Sequence, residues 1–415
     1  MNAFAGFFDC TDSLKEEKYL WMALVKRMAR RQSHRGGAAD RLTACCSAQC
    51  AMAQAGEAVT EGKKTAVCFE GILEGREELR RELGGSPDAG DGELAAAAYG
   101  RWAEKCGARL RGCFALAVDD RENGRLFLCR DGLGARPLFY WRQGDRMAFS
   151  LEVKGLLEYP GVNPVADWAV LREVLACAPD CGGFWGIQAV KPGQGLLFDR
   201  AGLREASSRP AGEIPSTRGP GTIQEAPFTA QQLYACLLEG VIARDLPGLP
   251  ETDALVLRQH RGQGQEGGTV LWAGDGPEPL WQAGWLELLW PEVREALDIQ
   301  NGGAAAPEMV YRQKLEQQER CAAAAGRALS VCHGGVGGQP VYRAPESYRQ
   351  LLREKLGHVL QDSGQPLHKL FAPKAVAAFL AEPSGQSQGL AAWLLQINYW
   401  LLHYDVFLGL KGTKK

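Results

Sequence analysis

The stretch Arg111–Gly161, RGCFALAVDDRENGRLFLCRDGLGARPLFYWRQGDRMAFSLEVKGLLEYPG, decides how the first half of the chain folds. Cys113–Val118 is an apolar run of strand length. Asp119–Gly124 is a polar turn ending in Asn123-Gly124, a dipeptide that tolerates positive φ in a tight hairpin. Leu126–Cys129 is the returning strand. A loop carrying Gly132, Gly134 and Pro137 leads to a third strand, Leu138–Trp141, and Gly144-Asp145 turns the chain into a fourth, Met147–Phe149. Val153–Glu158 predicts a short helix stopped by Pro160.

Working outward, Leu14–Arg31 places Leu20, Met22, Leu24, Val25 and Met28 at helical spacing. Ser207–Pro227 is rich in Ser, Pro, Gly and Thr and has no periodicity, so 207–227 reads as a linker between domains at 1–206 and 228–415. Beyond it, Gln231–Arg244 predicts an amphipathic helix and Asp253–Leu257 a short strand. Arg349–Leu360 predicts a further helix, and Trp393–Val406 one with a large apolar face.

The 415 residues suffice for two domains, and 46% hydrophobic with 23% charged residues fits a globular chain. A net charge of −2 gives no reason to expect nucleic acid or an anionic membrane as partner. The 13 cysteines are scattered, and Cys113, Cys129 and Cys236 sit in apolar runs where a thiol packs as a small hydrophobe. Cys45-Cys46 with Cys50 lacks a second pair at zinc-finger spacing, so no metal is expected there. The first residues lack a basic-then-apolar leader, and no apolar run is long enough to span a bilayer. The expectation is a cytoplasmic protein with reduced thiols.

Phe114-Ala115-Leu116-Ala117, then Arg130–Tyr140 (RDGLGARPLFY), then Phe149–Lys154 (FSLEVK) together resemble the glutaminase domain of glutamine-hydrolysing asparagine synthetases. Phe184–Ile187 and Val190–Leu196 are similar to that domain's closing strands. The resemblance implies a four-layer αββα sandwich of the N-terminal-nucleophile amidotransferase type. A truncated, mostly helical α/β synthetase-like domain would follow it.

In that family an N-terminal cysteine attacks glutamine, with its own α-amino group as base. Here Ala5-Gly6-Phe7-Phe8-Asp9 matches, but Asn2 occupies the nucleophile position, and a carboxamide cannot do this chemistry. Cys10 lies at the far end of the strand, its own nitrogen tied up in a peptide bond. His34, in Gln32–Gly36, invites a catalytic reading beside the plainer one of a loop histidine bonded to backbone. Leu42–Gly62 carries no Lys or Arg where the resemblance implies an arginine for the substrate carboxylate. In Ala66–Arg80, Gly71 matches the family, while Glu70 replaces an oxyanion-hole asparagine and Ile72 an ammonium-binding glutamate. Asp91 matches a retained glutamine contact, although capping a helix over Leu94–Lys105 is role enough for it. Gly71 and Asp91 are thus vestigial substrate-binding positions.

In the second domain Arg258–Gln265 stands where the family has the serine- and glycine-rich loop that wraps ATP phosphates. Thr269–Trp281 resembles the next nucleotide motif: Gly274, Asp275 and Gly276 match, and Pro279 replaces a glutamate, so these three are vestigial nucleotide-binding positions. Glu316–Gly326 is similar to a family helix, and the domain is shortened at two places. The family uses ATP and magnesium; this chain is expected to need no cofactor. The reading is a catalytically inactive homologue, a binding or regulatory module working through a protein partner or a second copy. The alternative is an ATP-dependent asparagine synthase that makes an amide from a carboxylate with glutamine as nitrogen donor. Asn2 and the missing phosphate loop separate the two.

Overall fold

The computed structural model describes residues 2–11, 13–32, 41–175, 181–208, 223–225, 229–247, 285–297, 341–343, 345–381 and 387–409. These residues form two compact units, one within Met1–Asn163 and Gly186–Ser216, the other within Pro164–Trp185, Thr217–Arg312 and Ser330–Lys415.

The first unit opens with β1 (Ala3–Asp9), α1 (Lys18–Arg30), β2 (Leu42–Cys46), β3 (Cys50–Ala55), β4 (Thr60–Glu61) and β5 (Thr65–Leu73). Helices α2 (Arg76–Leu83), α3 (Asp91–Trp102) and the single turn α4 (Cys106–Arg109) follow. Then come β6 (Gly112–Asp120), β7 (Arg125–Arg130), β8 (Phe139–Gln143), β9 (Arg146–Ser150) and α5 (Val153–Leu156). The chain visits the second unit with β10 (Val165–Ala166) and α6 (Trp168–Leu175), then returns as β11 (Ile187–Ala189), β12 (Gln194–Asp199) and β13 (Gly202–Ser208).

Two six-stranded antiparallel sheets result, ordered β11-β8-β9-β1-β3-β2 and β13-β12-β7-β6-β5-β4. The period of two in each strand decides what faces what. From β1, Phe4 and Phe8 enter the core between the sheets, where Leu126 and Leu128 of β7 and Phe198 of β12 meet them. Phe7 points the other way and packs edge-on to Trp21 of α1, ring centroids 5.3 Å apart. From β6, Ala115 and Ala117 face the inter-sheet core while Phe114, Leu116 and Val118 face α3, which contributes Leu94, Ala95, Ala98 and Tyr99. Both faces of each sheet are covered, so β1 and β6 are buried along their whole length. The layers run helix, sheet, sheet, helix, the αββα sandwich that the sequence implied.

Three local readings shift. The first helix begins at Lys18, four residues late, leaving Leu14 as a core residue of the preceding turn. The helix after β9 is one turn, Val153–Leu156, and not Val153–Glu158. The third helix begins at Asp91 itself, so Asp91 does not cap it. Gly90 holds the cap position, and its N–H donates to Glu93 Oε2 at 2.8 Å.

The second unit continues with β14 (Ile223–Glu225), α7 (Ala230–Arg244), α8 (Pro291–Leu297), β15 (Val341–Arg343), α9 (Glu346–Gln361), α10 (Pro373–Ala381), α11 (Ser387–His403) and β16 (Phe407–Leu408). Thr229 caps α7, its hydroxyl accepting from the Gln232 N–H at 3.3 Å. Leu390, Trp393, Leu394, Ile397 and Trp400 of α11 are fully buried, as are Leu356 of α9 and Leu233 and Val241 of α7. Phe371 meets Trp393 edge-on and Phe184 stacks on Trp400. β10 pairs with β16 in parallel, Val165 beside Phe407, which ties Pro164–Trp185 to the end of the chain. The described part of this unit is mostly helical. No helix among the described residues is long and apolar enough to cross a membrane.

Candidate functional site

The start of β1 lies beside β5. Asn2 stands immediately ahead of β1 and is buried, and every polar atom of its side chain is engaged. Its amide nitrogen Nδ2 donates to Phe69 O at 3.1 Å and to Glu57 Oε2 at 3.2 Å, and its Oδ1 accepts from the Glu57 N–H at 3.1 Å. The loop between β3 and β4 comes this close because residue 56 is glycine: a Cβ there would lie 2.5 Å from Asn2 Oδ1, at a φ of +100°. Asn2 therefore works as a clamp between β1, β5 and that loop.

The Asn2 backbone N–H donates to Glu70 Oε2 at 2.6 Å. Glu70 is 2% exposed, and its other oxygen lies 3.6 Å from Arg136 Nε, a buried ion pair. Gly71 follows on β5 with φ +140°, where a Cβ would fall 2.0 Å from the Cys113 carbonyl oxygen of β6. Any side chain would part the two strands at this rung, which accounts for glycine here without a substrate. Ile72 packs against Cys113 and Ala135 as an ordinary hydrophobe.

Arg136 arrives from the loop RDGLGARP, and that loop is knitted by its first two residues. Arg130 donates to three backbone carbonyls, Arg136 O at 2.6 Å, Gly134 O at 2.7 Å and Val190 O at 2.8 Å. The Asp131 carboxylate accepts the backbone N–H groups of Phe114, Leu133, Ala135 and Arg136 at 3.0–3.2 Å. Burial pushes the Asp131 carboxyl above its ordinary value, opposed by those N–H groups and by Arg130. These bonds tie the loop through its backbone, and Arg136 reaches Glu70 from it.

Asp91, 2% exposed at the start of α3, pairs with Arg76 at 2.8 Å from Nε to Oδ1. Arg76 Nη2 also reaches Ala89 O at 3.3 Å, and Arg80 Nη2 reaches the same oxygen at 2.9 Å. Cys10, just past β1, is 1% exposed, and burial pushes its thiol up to about 11, so it is no nucleophile. Burial likewise lifts Cys45 to about 12. Among the described residues no group of His, Cys, Asp or Glu could hold a metal ion.

The structure thus gathers Asn2, Glu70 and Gly71 around the start of β1 and places Asp91 on α3. His34, Arg258–Gln265, Gly274, Asp275, Gly276 and Glu316–Gly326 lie outside the described residues. Three participants had no sequence signal: Glu57, Arg136 as the partner of Glu70, and Arg76 as the partner of Asp91. Each is a surface-type residue whose role depends on a partner more than ten residues away, and no local pattern encodes such contacts.

Residues 1–208, half of the chain, match the family described as a glutamine amidotransferase domain. The chain belongs to that family. It is similar to glutamine-hydrolysing asparagine synthetase 3 of Bacillus subtilis, 32% identical over 151 residues, 34% of this chain and 25% of that one. A protein provisionally named glutamine-hydrolysing asparagine synthetase in Mycobacterium tuberculosis is 40% identical over 114 residues, 26% of this chain and 18% of that one. These matches span a quarter or less of the relatives' length. Among solved structures, the glutamine phosphoribosylpyrophosphate amidotransferase of B. subtilis aligns over 58% of each chain at 14% identity with a TM-score of 0.33. The fold assignment stands on the strand order and layers described above.

Proposed function

We propose that this member of the glutamine amidotransferase domain family, akin to the asparagine synthetases, does not hydrolyse glutamine and serves as a binding or regulatory module. One observation carries the reading. The position of the attacking thiol holds Asn2, whose carboxamide is spent on Phe69 and Glu57 and whose nitrogen faces the Glu70 carboxylate at 2.6 Å. A carboxylate at that position accepts hydrogen bonds and cannot donate one to a developing oxyanion; losing a single oxyanion donor alone costs roughly 10²–10³ in rate. The module would act through a protein partner or a second copy, with neither nucleic acid nor membrane, and without ATP or magnesium.

The test is ammonia release from millimolar glutamine by the purified protein. None is expected above a no-enzyme blank, for the native chain or for Asn2→Cys, because Glu70 and Ile72 remain. Release by the native protein that disappears in Asn2→Ala would sink the proposal and favour the amide-forming alternative.

A further inference from the structure

We propose that β2 is a pairing edge whose partner is β2 of a second copy of this chain, laid antiparallel about a two-fold axis at Ala44. The inference rests on the reading of a module that works through a partner; it makes that partner a second copy and names the surface.

The ladder between β2 and β3 decides which way the backbone of β2 points. In an antiparallel pair, alternate residues exchange hydrogen bonds with the residues opposite, and those between them turn N–H and C=O away. Leu42 lies opposite Ala55 and Cys46 opposite Ala51. The rungs just beyond the strand are bonded ones: the Gly56 N–H donates to Arg41 O at 2.9 Å, and the Ser47 N–H to Cys50 O at 2.8 Å. Arg41, Thr43, Cys45 and Ser47 therefore bond inward to β3, while Leu42, Ala44 and Cys46 aim outward. Among the described residues no hydrogen bond takes up the backbone N–H or C=O of those three. β2 ends its sheet, Thr43 is exposed, and Leu42, Ala44 and Cys46 are only half-buried.

The other three sheet edges are guarded. β4 has two residues and β11 three, and β13 carries Arg204 and Glu205. Short strands and charges are what keep an edge from pairing. β2 has five residues, LTACC, with neither a charge nor a proline. A second β2 supplies what this edge lacks. With Ala44 on the axis, Leu42 faces the second copy's Cys46 and Thr43 faces its Cys45. Each outward N–H then meets an outward C=O, and no charge opposes a like charge. The contact uses the same strand on both copies, so it closes at two.

Sedimentation of the native protein across the micromolar range should show a monomer–dimer equilibrium. Ala44→Pro removes an outward N–H that no internal bond uses, at the kind of edge position where proline is tolerated. It should raise the dimer dissociation constant roughly tenfold or more. Ala44→Lys sets two ammonium groups against each other across the axis and should do the same if the proline variant fails to fold. Hydrogen exchange of the native protein at two concentrations reads the register. The amides of Leu42, Ala44 and Cys46 should slow as the dimer forms, and those of Thr43 and Cys45, already bonded to β3, should not change. A native protein that stays monomeric, a dimer undiminished by either substitution, or one that forms without slowing those three amides overturns the proposal. Each of these results leaves the non-hydrolytic reading standing, whereas ammonia release in the glutaminase assay defeats that reading and leaves the pairing edge untouched.

Discussion

At the scale of the residue, Asn2 is a clamp whose chemistry is set by what surrounds it. Its Nδ2 faces two acceptors, Phe69 O and Glu57 Oε2, and its Oδ1 faces one donor, the Glu57 N–H. A carboxylate of the same shape keeps the last contact and turns the first two into acceptor–acceptor repulsions, next to the charges of Glu57 and Glu70. Asn2→Asp should therefore cost about 2–4 kcal/mol at neutral pH, more than Asn2→Ala, which only empties the position. Urea denaturation of the three proteins measures this. Equal midpoints for Asn2→Asp and the native protein would mean that the carboxamide is not held this way. The identity of residue 2 was legible in the sequence as a departure from a nucleophile. Its role as a clamp was not, because two of its partners, Glu57 and Phe69, lie more than fifty residues along the chain.

At the scale of the element, the loop between β7 and β8 shows how a motif can be architecture. Arg130 and Asp131 sit at its base and satisfy backbone groups, three carbonyls and four N–H groups between them. Asp131→Asn keeps one acceptor oxygen and turns an NH₂ group toward donors, so at least two N–H groups lose their partner. The expected loss is about 2–4 kcal/mol. Arg136 should be displaced with it, exposing Glu70 and the start of β1 to faster amide exchange. Hydrogen exchange at Glu70 and Ala3 is the readout, and unchanged protection there would uncouple the loop from the site. The strands that flank this loop were read correctly from apolar runs of strand length and from the Asn123-Gly124 and Gly144-Asp145 turns, since those signals are local. The ends of α1, α3 and α5 were missed by two to four residues, because caps and first turns answer to tertiary partners such as Arg76 and to Glu93 reaching back to Gly90.

At the scale of the whole molecule, pH acts on the sandwich through carboxylates that burial and hydrogen bonding pull in opposite directions. Asp120 closes β6 and accepts from Tyr99 Oη at 2.9 Å, Arg125 Nε at 2.9 Å and Asn123 Nδ2 at 2.9 Å, so it joins α3, β6 and β7. Burial pushes its carboxyl up, but the bonds from Asn123, Arg125 and Tyr99 outweigh burial and hold it below its ordinary value. A folded value below the unfolded one means that the stabilisation is fully present above the unfolded pKa of about 3.9 and drains away as pH falls through the folded value. Asp119 next door has the opposite sign: burial raises it, so its protonation during acidification favours the folded state and partly masks the effect. The difference between Asp120→Asn and the native protein isolates the one group. At pH 7 Asp120→Asn should be less stable by about 2–3 kcal/mol, the value of charge-assisted bonds to Arg125 and Tyr99. The gap should shrink below pH 4, where the native carboxyl also becomes neutral. Denaturant midpoints from pH 7 down to the acid limit of folding supply the test. A gap that stays constant across that range would show that Asp120 contributes by shape and neutral hydrogen bonding, with its charge playing no part in holding the adjoining ends of β6 and β7 to α3.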